Sequence, residues 1–62
     1  MQRYFAKEKQ QEKFILNEQD VYHIKTVMRN KIEDQIEVVY NEKIYLCSIT
    51  NLDPLNLKIL KE

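Results

Sequence analysis

The segment VYHIKTVMRN holds the only histidine of the 62-residue chain, His23, together with Tyr22, Lys25 and Arg29. These side chains have a defined repertoire. Lysine and arginine pair with phosphate, tyrosine stacks on a base, and imidazole stacks or moves a proton. Proton transfer as catalysis needs a second group to share the work, and no second histidine, acidic pair or nucleophile stands beside His23 in sequence. The segment therefore points to binding. Asn30 and Lys31 extend its cationic flank. The single cysteine, Cys47, lies in an apolar run and is expected to be a small core residue rather than a nucleophile. One cysteine excludes a disulfide framework, and a structural zinc site would lack its usual ligands.

A purely structural use competes with the binding use. Cations in the last turn of a helix oppose the macrodipole with no ligand present. A histidine at the edge of an apolar stripe is commonly packed and hydrogen-bonded. Charge distribution bears on the choice. Net charge is zero overall, but residues 1–31 hold seven Lys/Arg against four Asp/Glu (+3), and residues 32–62 hold three against six (−3). The positive half carries the segment, but small proteins often split charge this way by chance, and charge alone favours the structural use.

The elements that must position these residues follow from the pattern. RYF (Arg3 to Phe5) and KFIL (Lys13 to Leu16) suit short strands. The polar run AKEKQQEK between them suits a loop or a frayed helical turn, since it has no apolar stripe. Asn17 is an N-cap, with Asp20 three residues on and a Leu16/Val21 pair at staple spacing. Val21, Ile24, Val27 and Met28 then share one helical face, which predicts Val27 in the core. Asn30 is the expected left-handed C-cap. QIEVVY alternates as a half-buried strand, and Asn41-Glu42 is a tight turn into KIYLCSITNL, a central strand with apolar residues on both faces. NLDP breaks that strand before LNLKIL. The order is β-β-α-β-β-β, mainly β with one α-helix. It predicts a small antiparallel barrel with the helix across an open end. There is no glycine, so turns fall to Asn, Asp and Pro54.

Length and composition set the bounds. A single domain of this size buries only about 60% of its unfolded surface, so a binding module is favoured over an enzyme. Hydrophobic content of 44% with 32% charged residues is that of a globular domain. The start has no secretory h-region, and Ile44 to Cys47 is far too short to span a bilayer. The expectation is a cytoplasmic protein without membrane contact.

In order, QRYF, DVYHIKTVMRNKIEDQIEVV and YLCSIT resemble the N-terminal domain of the ribosomal RNA small-subunit methyltransferase E family. The matching positions are Arg3-Tyr4-Phe5 in the first strand, then Asp20 with Tyr22-His23 and Val27-Met28-Arg29 in the helix. Glu33-Asp34 before Ile36 and Val38 and the strand Tyr45 to Ile49 complete them. Tyr22 stands where the family has the first of two histidines, and Glu33 where it has glycine.

The resemblance implies a PUA-like barrel over residues 1–62 that positions small-subunit rRNA for uridine-N3 methylation. It implies that the chain ends before the SPOUT-class catalytic domain, which would bind S-adenosylmethionine and form the homodimer. This chain is then expected to have no cofactor and no catalytic residue of its own, and its partners are rRNA and that second domain. The expected RNA contacts are Arg3, Tyr22, His23, Lys25, Arg29 and Lys31. The rival expectation is a structural or protein-interaction barrel that binds no RNA.

Overall fold

The computed structural model describes residues 2–11 and 13–62. The described residues form five strands and one helix: β1 (Arg3–Gln10), β2 (Lys13–Leu16), α1, β3 (Gln35–Tyr40), β4 (Lys43–Leu52) and β5 (Leu55–Lys61). Helix α1 opens as one α-helical turn, Glu18–Tyr22, and continues as a π-helical turn, His23–Val27. The fold class and element order are those the sequence implies. The strands form one sheet in the order β2-β1-β3-β4-β5. Its two edges, β2 and β5, pack against each other, so the sheet rolls into a nearly closed small barrel.

One pairing departs from the antiparallel expectation. β1 and β3 are parallel, with Tyr4 opposite Val38, whereas the other three pairs are antiparallel. The cause is the crossover. The chain leaves β1 through the β1–β2 hairpin and returns through α1, and so enters β3 in the direction of β1.

β1 is also longer than RYF. The polar run Ala6 to Gln10 is strand, because β2 pairs with it from Ala6–Leu16 to Gln10–Lys13 and satisfies its backbone. The register shifts between Ala6 and Glu8, where β1 turns from β3 toward β2. A bulge of this kind bends a strand and lets it serve both sides of a barrel.

Alternation builds the core. Ile36 and Val38 of β3, Cys47 and Ile49 of β4 and Leu57 of β5 point inward and join Tyr4, Phe14, Leu16 and Ile24 in one buried cluster. Phe14 meets the rings of Tyr45 and Tyr40 at 5.0 and 5.8 Å. Glycine-free turns are made by residues forced into the left-handed region. Asn41 and Glu42 have φ of 52° and 64° between Tyr40 and Lys43, the arrangement that matches strand twist in a two-residue hairpin.

Candidate nucleic-acid interface

The helix starts as its sequence dictates. Asn17 is extended, and its side-chain oxygen accepts from the Asp20 N–H at 2.8 Å. Ile24, fully buried, enters the barrel mouth. The second turn then widens. The Met28 N–H reaches back five residues to the His23 carbonyl at 2.8 Å, and the Asn30 N–H reaches the Ile24 carbonyl at 3.0 Å.

The first of these rings takes in one more residue than an α-helical ring and the second two more, so Val27 no longer comes round over Ile24. Val27 is 57% exposed and Met28 45% exposed, and the core position expected for Val27 is not observed. The left-handed residue that ends the helix is Arg29 (φ 51°) and not Asn30.

Asn30 instead joins a side-chain network. Its amide exchanges hydrogen bonds with Gln2 at 2.8 and 3.1 Å and donates to Asp34 Oδ2 at 3.1 Å. The same Asp34 oxygen accepts the Lys31 N–H at 2.9 Å. That backbone bond first, and the Asn30 amide second, hold the Asp34 carboxyl below its ordinary range. Gln2 Nε2 also donates to the Tyr4 hydroxyl at 2.7 Å, and that hydroxyl shares a hydrogen bond with His23 Nδ1 at 2.9 Å. The chain of contacts runs from His23 through Tyr4, Gln2 and Asn30 to Asp34. It ties the end of α1 and the following loop to the first strand.

Glu33 then turns at φ 80°, with its N–H donating to the Ile49 carbonyl at 2.7 Å. The position where the resembled family carries glycine thus has a backbone that suits glycine.

The six residues singled out in the sequence are placed in three settings. Tyr22 and Lys25 line one groove of about 300 Å³, together with Leu16, Glu18, Val21 and Thr26. Tyr22 is 61% exposed. Lys25 Nζ lies 3.5 Å from Asp53 Oδ1, whose side chain is almost fully in solvent at the β4–β5 turn. Arg29 and Lys31 are exposed in the loop after the helix.

Arg3 and His23 are each paired within the domain, Arg3 on the exposed surface and His23 half-buried. The Arg3 guanidinium makes two bonds to Glu37 Oε1 at 3.2 and 3.1 Å, and His23 sits edge-on to the Tyr4 ring with centroids 5.8 Å apart. Cys47 is fully buried, and burial pushes its thiol up to about 11, so it is no nucleophile near neutrality. Among the described residues, no cluster of His, Cys, Asp and Glu could hold a metal ion, and no helix is long and apolar enough to cross a membrane.

Residues 16–62 match the family described as the RNA methyltransferase PUA domain. The chain belongs to that family. The matched span takes in the whole helix, its groove, and strands β3 to β5 of this PUA domain. β1 and most of β2 lie before it, and so does Arg3-Tyr4-Phe5. No curated protein and no solved structure matches the chain significantly.

The groove brings Glu18 and Thr26 into the PUA domain's candidate site, neither of which stands out by residue type. Their signal is spacing: Glu18, Tyr22 and Thr26 recur every fourth residue along one flank of the helix. Asp53, 28 residues from its partner Lys25, has no such signal.

Proposed function

We propose that this domain holds RNA through the outer flank of α1 and the loop after it. Tyr22 would stack on a base, and Lys25, Arg29 and Lys31 would contact phosphates. The observation that carries this reading is the exposure of Tyr22 beside Lys25 in a groove of a domain that belongs to an RNA methyltransferase family. His23 takes part by holding the helix to Tyr4, and Arg3, half-exposed, keeps guanidinium N–H groups free beside its pair with Glu37.

The resemblance to the small-subunit rRNA methyltransferase E family supports a finer assignment. The RNA is small-subunit rRNA, the reaction served is N3 methylation of a uridine, and a SPOUT-class domain outside residues 1–62 binds S-adenosylmethionine and performs it. Such an enzyme works in the cytoplasm.

The test is a salt titration of binding to a small-subunit rRNA fragment by the wild type, Arg29→Ala and Tyr22→Ala, with circular dichroism as the fold control. Arg29→Ala is expected to flatten the salt dependence by about one phosphate. Tyr22→Ala is expected to cost about 1–3 kcal/mol of binding. Two folded variants that bind as the wild type does would refute the assignment of this flank.

A second reading has its own observation. Phe5, Val39 and Ile44 stand opposite one another across β1, β3 and β4, and Phe5 is 65% exposed. A row of this kind on the outer face of a sheet suits a protein contact. On this reading the outer face of the barrel seats the catalytic domain. Phe5→Ser would then weaken that association and leave RNA binding by the isolated domain unchanged.

A further inference from the structure

The groove beside α1 is mixed in a specific way. Leu16 and Val21 supply apolar wall, and the exposed ring of Tyr22 stands beside them. Three polar residues line the same space: Glu18, Lys25 and Thr26. Its volume of about 300 Å³ lies at the lower end for small-molecule sites and fits one nucleotide, not a folded peptide.

Glu18 has no ion pair or side-chain hydrogen bond among the described residues, so its acceptor oxygens are free for a ligand. Lys25 has only Asp53, at 3.5 Å and solvent-exposed, and a contact of that kind yields readily to a phosphate.

The carboxylate limits which base fits. A carboxylate accepts and cannot donate. The Watson–Crick edge of guanine offers two adjacent N–H donors, N1–H and N2–H, which one carboxylate can accept together. Adenine and cytosine each offer one amino group beside a ring acceptor. Uracil offers one N–H between two carbonyls that repel the carboxylate. That edge is free only in an unpaired nucleotide.

Resting on the RNA-binding reading above, we propose that this groove is a subsite for one unpaired nucleotide and that it favours guanine. Glu18 reads the base edge, Tyr22 stacks on its face and Lys25 holds the adjoining phosphate. The groove thus gives the domain a sequence preference in single-stranded RNA, which phosphate contacts alone cannot supply.

The probes are the pentaribonucleotides UUGUU, UUAUU, UUCUU and UUUUU, titrated into the domain at millimolar concentration and followed by amide NMR shifts. UUGUU is expected to bind about fivefold to tenfold tighter than UUUUU, the low end of what a bidentate contact discriminates. The shifts should centre on residues 18–26. Glu18→Gln is expected to weaken UUGUU and so level that preference. Tyr22→Ala is expected to weaken all four. Equal affinities for the four probes, or a guanine preference that survives Glu18→Gln, would overturn the groove assignment and leave RNA binding intact. Absence of any shift with the pentamers and with an rRNA fragment would overturn both.

Discussion

The π-helical turn makes a sharp prediction about two neighbouring apolar residues. Ile24 is fully buried and Val27 is 57% exposed, although an α-helical stripe would bury both. Truncating a buried isoleucine to alanine costs about 2–5 kcal/mol, the transfer of the lost carbons plus the cavity they leave. Total stability for 62 residues is about 3–9 kcal/mol at the usual value per residue. Ile24→Ala therefore removes a large fraction of the fold's stability.

An unfolding entropy of about 2.1 cal/mol/K per residue gives about 130 cal/mol/K for the chain, so 1 kcal/mol shifts Tm by about 8 °C. Ile24→Ala should lower Tm by about 15 °C or more. Val27→Ala, at the surface, should stay within about 0.5 kcal/mol, or about 4 °C. Thermal melts followed by circular dichroism measure both. Ile24→Val, at about 0.5–1.5 kcal/mol, supplies an intermediate value of about 4–12 °C if the alanine variant does not fold. Equal losses at the two positions, or a larger loss at Val27, would mean that the helix keeps an α-helical ladder through its second turn.

Glu33 holds φ 80°, where a side chain costs about 1–2 kcal/mol and glycine nothing. After the extra entropy that glycine loses on folding, Glu33→Gly should gain about 0.5–1 kcal/mol in urea unfolding, and a loss would show that the Glu33 side chain has a role. The Asp34 carboxyl is held below its ordinary range in the fold, so its contribution is fully present above the unfolded pKa of about 3.9 and is lost as pH falls through the folded value. The Tm difference between the wild type and Asp34→Asn should therefore shrink as pH drops below about 4; a constant difference would show that the carboxylate's charge plays no part. Asp53→Asn removes an exposed partner of Lys25 and should tighten single-stranded RNA binding by no more than about fivefold with Tm nearly unchanged. Weaker binding in that variant would place Asp53 among the ligand contacts instead.

Periodicity and local capping determined most of this domain before any contact was known. Alternation in QIEVVY and LNLKIL marks the buried faces of β3 and β5, because a strand with one wet face has a period of two. Asn17 fixes the helix start through a bond to a residue three positions on, and Asn41-Glu42 makes its hairpin locally. The basic and aromatic flank of α1 was legible too, since residues four apart on a helix are neighbours wherever the helix sits.

Tertiary structure decided what depends on distant partners. The polar run Ala6 to Gln10 became strand because β2 offers it a ladder, against the preference of its own residues. The parallel β1–β3 pair follows from a crossover of the whole chain and leaves no local mark. The widened turn that exposes Val27 coincides with His23 and Ile24 being held in succession, one by Tyr4 and the other by the barrel core. The groove likewise needs Leu16 from β2 against the helix, and its cation faces Asp53 from a hairpin 28 residues away. Backbone pairing and side-chain burial can override local preference because each residue contributes only tenths of a kcal/mol of propensity, whereas a buried isoleucine or an unsatisfied strand costs several.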